Sequence, residues 1–253
     1  MNQLVTLQFT PNKALLGLAL GFLPILILLG CWQLQRAEEK QQILSFRAAQ
    51  ADMPPVEWRS LDQDISGLAH RRLKVTGEYD TQHYWLLENQ TWQGRVGYRI
   101  IMPFYTPFGG LLVDRGWVAS TGYRKQLPAE LESTSSVSQP VSIHGRVASY
   151  SDHRLLQNLV ESKDWPRWIL EVDADQLVAE PEFDGAGIIP LVLRLETDSP
   201  STFTVLPQSV NMPPSKHIGY AVQWFSLAVA LVVLSLFAHT NLGQWIRSRR
   251  SNK

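Results

Sequence analysis

Two long stretches without a single charged side chain bracket this sequence, at residues 14–35 and 218–238. Their cores read LLGLALGFLPILILLG and YAVQWFSLAVALVVLSLFA. Crossing roughly 30 Å of hydrocarbon takes about 20 apolar residues on a helix, and each run meets that length. A buried core helix is rarely uncharged for so long. Most of the remaining chain is polar, which excludes a polytopic channel. The expected fold class is therefore a two-pass α+β membrane protein. The segments are a short head at 1–13, a span at 14–35, a domain at 36–216, a second span at 217–239 and a tail at 240–253. Pro24 falls inside the first span, where a membrane helix tolerates it. The run from Lys13 to Leu28-Leu29-Gly30-Cys31 also resembles a lipoprotein signal with Cys31 as the lipidated residue. Its length and the bulk of Leu29 argue against that, since signal cores run about 7–15 residues.

Charge gives the expected orientation. All 23 acids lie between Glu38 and Asp198, and residues 36–216 hold 18 bases against those 23 acids, a balance of −5. The ends carry only bases: Lys13 at the head, and Arg247, Arg249, Arg250 and Lys253 in the tail. Lys and Arg collect on the cytoplasmic side, so both termini are expected there, with the middle domain on the outer face. The head lacks the Arg-rich amphipathic pattern of a mitochondrial presequence. The simpler placement is a bacterial inner membrane with a periplasmic domain. The acidic middle speaks against nucleic acid as a partner. The single Cys excludes a disulfide scaffold.

The middle of about 180 residues suits one domain. Helix formers without Gly or Pro carry the first helix out of the span to about Ala51, where Met53-Pro54-Pro55 stops it. Runs rich in β-branched and aromatic residues then predict strands at 73–79, 84–88, 98–104, 111–118, 141–147, 168–172 and 191–195. Phe108-Gly109-Gly110 marks a hairpin reversal. Asp173 is placed to cap a short helix reaching Glu180. Residues 130–139 read as a polar surface loop. The expectation is a mostly antiparallel sheet or small barrel, with strand order open.

Chemistry is sparse. Phosphate-loop, dinucleotide, zinc-protease and nucleophile-elbow motifs are all missing, and no C-x-x-C-H occurs for covalent haem. An enzyme is not expected. Asp114-Arg115-Gly116-Trp117 places a charge pair and an indole at a strand end, read as structural or as part of a partner surface. The most informative residue is His217, at the outer end of the second span. On a helix Tyr220, Ala221, Trp224 and Ala228 share its face. Trp32, Gln33 and Arg36 end the first span at a similar depth. Imidazole ligates haem iron, aromatic walls suit a macrocycle, and Arg suits a propionate. An interfacial aromatic belt with a solvated His explains the same residues. A bis-His haem within one chain does not fit, because His239 lies 22 residues along the helix, roughly 33 Å away.

Ordered blocks across nearly the whole chain resemble the Surfeit locus protein 1 family of cytochrome c oxidase assembly factors. They are Leu29-Gly30-Cys31-Trp32-Gln33-Leu34-Gln35-Arg36 with Lys40, Gly77-Glu78-Tyr79, Gly94-Arg95-Val96-Gly97-Tyr98, Val113-Asp114-Arg115-Gly116-Trp117-Val118, and the segment from His217 to Phe225. Glu39, Ala119 and Ser215-Lys216 depart from the family pattern at the edges of the blocks. The resemblance implies an assembly chaperone that binds haem a transiently and passes it to the haem-bearing oxidase subunit. It implies His217 as the axial ligand of the haem iron, with Trp32, Tyr220 and Trp224 as pocket walls. Arg36 is a propionate partner by position. The implied partners are that oxidase subunit, the haem a synthase and the lipid bilayer. The competing reading is a haem-free tether that docks the synthase against the subunit.

Overall fold

A computed structural model describes residues 6, 8–58, 65–122, 126, 131, 139–148, 164–207, 212–241, 243–245 and 247. Most of the expected polar loop at 130–139, and tail residues Arg249, Arg250 and Lys253, lie outside the described residues. Two compact units result: residues 1–45 with 209–253, and residues 46–208.

The first unit is a pair of helices. Helix α1 runs Lys13–Asp52, with Pro24 inside it. The side chain of Asn12 accepts from the backbone N–H of Ala14 and Leu15, satisfying donors that a helix start leaves open. The second helix of this unit, Pro214–His239, starts with proline in its first turn, where the missing N–H costs nothing. Both are long and apolar enough to span a membrane. They pack antiparallel. At one end a bridge joins Phe9 to Thr240, and the Thr10 N–H donates to the His239 carbonyl at 2.8 Å. At the other end Gly30 meets the ring of Phe225, where a Cβ would stand 2.6 Å from Phe225 Cε1. Only glycine allows that approach. Elsewhere the large apolar side chains of both helices point outward, as lipid contact requires.

The second unit is a small barrel. Its strands are β1 (Val56–Glu57), β2 (Arg72–Tyr79), β3 (Trp85–Trp92), β4 (Arg95–Thr106), β5 (Gly109–Ala119), β6 (Val141–Val147), β7 (Arg167–Ile169) and β8 (Ile188–Leu195). Their order is β1-β2-β6-β8-β5-β4-β3-β7, and the end of β4 returns to β2 through Glu78↔Tyr105 and Tyr79↔Phe104. Strands β2, β6, β8, β5 and β4 thereby close a ring. The pairs β1–β2, β3–β7 and β5–β8 are parallel and the others antiparallel. Alternation along the strands fills the inside with residues such as Leu73, Val75, Ile100, Phe104, Val113 and Ile143. A second cluster covers the outer side of β3, β4 and β5, with Trp85, Ile101 and Leu112 under Leu177 and Phe183. Strand β5 is therefore buried on both faces.

The short helix α2 (Ala174–Val178) supplies Leu177, and the Asp173 carboxylate accepts from the Gln176 N–H at 3.2 Å. The membrane helix Pro214–His239 is α3. The β4–β5 hairpin turns at Pro107-Phe108, held by the Thr106 hydroxyl donating to the Gly109 carbonyl. Strand β3 continues past the expected boundary to Trp92. A bulge at Asn89 (φ 58°) breaks the alternation that marks a strand, and Gln93-Gly94, both with positive φ, turn the chain into β4.

Candidate functional site

Among the described residues, His217 is the one titratable side chain buried at the end of the helix pair where α3 begins, at 7% exposure. The buried stripe on α3 is His217, Ala221 and Ala228, ending at His239 on the far side of the span, with Trp224 half-buried on the same line. The facing stripe on α1 is Gly30, Gln33 and Ala37, in which Gly30 and Ala37 are buried and Gln33 half-buried. Small residues let the backbones close, and the two polar side chains of the seam meet each other.

His217 Nδ1 lies 2.8 Å from Gln33 Oε1. With the amide oriented this way the oxygen accepts from Nδ1–H, and in the neutral ring Nε2 then carries the lone pair. Nε2 is buried and has no hydrogen-bond partner among the described residues. Buried polar atoms are nearly always satisfied, and of the seven described side-chain atoms left without a partner this is the only one in the two-helix unit. An imidazole oriented by one nitrogen with the other left as a lone-pair donor is the arrangement of a metal ligand. The group implied by the family resemblance therefore fits this donor. Protein covers Nε2 in this state, so coordination needs the adjoining side chains to part.

The other expected pocket residues are arranged differently from one another. Trp32 and Tyr220 expose 48% and 45% of their surface and lie off the seam. Arg36 sits about one turn beyond Gln33, with its guanidinium 5.8 Å from the Trp32 ring and 2.7 Å from Glu39. It is exposed and held on the same helix face as Trp32. Gln33 is the residue whose role the sequence did not disclose. Its only signal was that it is one of two amides, with Gln35, near the end of an apolar run, groups that need a partner once buried.

Arg115 and Trp117 belong to the barrel and build its wall. Gly116 has φ 108°, and Arg115-Gly116 together oppose Ile100 as a bulge in β5. Segment 203–204 pairs with this bulge: the Phe203 N–H donates to the Arg115 carbonyl and the Trp117 N–H to the Thr204 carbonyl, each at 2.7 Å. The Arg115 guanidinium lies between the rings of Tyr79 and Phe203, 4.7 and 4.5 Å from their centres. Its Nε donates to the Ser201 carbonyl. Burial pulls the Arg115 pKa down and pushes that of Tyr79 up. The Trp117 indole N–H donates to the Gln90 carbonyl, tying β5 to the bulged part of β3. Asp114, 1% exposed, pairs with Arg99 and Arg194.

One further grouping among the described residues carries metal-type donors: His144, Glu196 and Asp198, all within 4.8 Å of one another. Glu196 already accepts from Arg72 and Arg146, and two guanidiniums at that range repel a cation.

Comparison with known proteins agrees with the sequence blocks. Residues 20–229 match the model of the SURF1 family. A "SURF1-like protein" of Rickettsia felis is 25% identical over 224 residues, covering 86% of this chain and 93% of the relative. One of Rickettsia bellii is 26% identical over 223 residues, covering 83% and 84%. The "Surfeit locus protein 1" of Gallus gallus is 25% identical over 225 residues, covering 80% of this chain and 68% of the relative. With a two-helix membrane unit, a β-barrel unit and a family match over most of its length, this chain belongs to the SURF1 family.

Proposed function

We propose that this chain is a membrane-tethered assembly factor for cytochrome c oxidase that binds haem a transiently and helps deliver it to the haem-bearing oxidase subunit. The observation that supports it is the orphaned Nε2 of His217, aligned by Gln33. When bound, haem a supplies an iron with axial positions for nitrogen donors. His217 Nε2 would hold that iron, and Trp224 lies about two turns further along the seam, past Ala221. Arg36 can exchange Glu39 for a propionate, because an exposed ion pair is worth at most about 1 kcal/mol. A single imidazole binds more weakly than a site with two ligands, so a receiving subunit that offers two draws the cargo away. The haem a synthase is the expected donor. No catalysis is assigned to this chain.

The proposed placement is a bacterial inner membrane, with both termini cytoplasmic and the barrel periplasmic. The basic head and tail support it. The test of cargo binding is haem absorption of the protein purified after co-expression with haem a synthesis. Native protein is expected to carry haem, and His217→Ala to carry at least tenfold less. Equal haem content in both would remove His217 from the role. The second reading is a haem-free dock between synthase and oxidase subunit. The covered state of Nε2 favours it, and native protein that copurifies with oxidase subunits yet never carries haem would establish it.

A further inference from the structure

The barrel register lines up three arginines. Arg72 on β2 is the cross-strand partner of Arg146 on β6, and Arg146 is the partner of Arg194 on β8. All three are on the outer face, because their neighbours Leu73, Val147 and Leu193 point into the core. Like charges directly opposite each other destabilise a sheet. Glu196 relieves part of this: its Oε2 accepts from Arg72 Nη2 at 2.7 Å and its Oε1 from Arg146 Nε at 2.8 Å. Burial pushes Glu196 up, but the hydrogen bonds from Arg72 and Arg146 hold its carboxyl below the ordinary range. Arg194 and Arg99 share Asp114. Adding Asp198, three carboxylates meet four guanidiniums. The local sign is positive on a domain whose overall balance is −5 across residues 36–216.

A pocket of about 590 Å3 opens over this row, with Val205, Leu206 and Pro207 as its apolar wall. Arg146 gives Glu196 only its Nε, so both of its Nη groups are without a partner among the described residues, on a side chain 42% exposed. A guanidinium fork in that state matches the two oxygens of a carboxylate or phosphate. Glu196 itself shows that the row accepts an oxyanion.

We propose that this pocket is an oxyanion-binding site for a ligand bearing at least two carboxylate or phosphate groups and an apolar body. Arg146 and Arg72 grip the charged groups, Leu206 and Pro207 contact the body, and Glu196 is the internal competitor that occupies the arginines in the ligand's absence. This site is independent of His217.

The test is calorimetric titration of the full chain in detergent with citrate and, separately, pyrophosphate, at constant ionic strength. Saturable one-to-one binding of at least one anion is expected, and which of the two binds tells carboxylate from phosphate as the natural group. Arg146→Gln is expected to weaken binding at least tenfold. Glu196→Gln is expected to tighten it several-fold, because the competitor is gone. Arg95→Gln, an equal charge change on the exposed β3–β4 turn, is expected to leave it unchanged. Circular dichroism confirms that each variant is folded. Absence of saturable binding by both anions overturns the proposal. So does a folded Arg146→Gln variant that binds like the native chain, or an Arg95→Gln variant that loses affinity equally.

Discussion

At the residue scale, one hydrogen bond, from His217 Nδ1–H to Gln33, orients the buried imidazole. Without Gln33 the buried His217 ring loses the one hydrogen bond that orients it among the described residues. Removing a group that orients a metal-bound histidine typically costs 10–100-fold in affinity. On the proposed haem role, Gln33→Leu is thus expected to lower haem content about tenfold while the protein still inserts and folds. Gln33→Glu keeps an acceptor, adds charge, and is expected to retain haem with a lower midpoint potential, because a charged acceptor makes the imidazole a stronger donor. Haem quantification and a redox titration read both, and a Gln33→Leu protein with native haem content and potential would leave His217 without a positioning partner. His217 was legible in the sequence because an ionisable residue at the rim of an uncharged run is conspicuous. Gln33 was not, because an amide is silent until its partner is known. The facing aromatics were half legible. Positions four, seven and eleven residues after His217 fall within about 40° of its direction on the helix, whereas Tyr220, three residues on, is about 60° away. The seam closed by Gly30 is narrow enough to take the first set and leave Tyr220 outside.

At the element scale, the Asp114-to-Trp117 block is a bulge set inside a doubly buried strand, with pairing to β4 resuming at Trp117. The bulge lets Arg115 turn toward Tyr79 and Phe203 while Asp114 faces Arg99 and Arg194. Gly116 makes it feasible: at φ 108° an L side chain is strained, and its Cβ would stand 2.8 Å from the Thr204 carbonyl oxygen. Gly116→Ala is expected to cost roughly 1–3 kcal/mol in backbone strain, plus the clash. At about 2–4 °C per kcal/mol for a domain of this size, the barrel's melting temperature should fall by several degrees. Thermal unfolding followed by near-ultraviolet circular dichroism checks it, and an unchanged midpoint would mean that the bulge relaxes at no cost. The hairpin at Pro107-Phe108 was readable because turn residues are local. The parallel pairings β1–β2, β3–β7 and β5–β8 were not, because the partners are distant in sequence and both kinds of strand present the same alternating pattern. The full burial of β5 hid its own alternation: inward Val113 and outward Leu112 are both apolar, since each face of that strand has a core.

At the scale of the whole molecule, the governing feature is that acids are confined to the middle while the ends carry only bases. With two antiparallel spans, the barrel must occupy one side of the bilayer and both ends the other. Which side is which depends on Lys13, Arg247, Arg249, Arg250 and Lys253, because Lys and Arg resist export while acids contribute little. Cysteine accessibility can read this directly. Cys31 is the only native thiol and is replaced by Ser to give a silent background. Phe108, exposed at the tip of the β4–β5 hairpin, and Arg247, exposed beyond α3, are then changed to Cys one at a time. A membrane-impermeant maleimide applied to intact spheroplasts is expected to label the Phe108→Cys protein fully. The Arg247→Cys protein should label only after the membrane is permeabilised. The opposite pattern would put the barrel in the cytoplasm and the His217 end of α3 at the inner face. A haem delivered from the outer leaflet side could not reach it there, and the delivery role would fall together with the orientation.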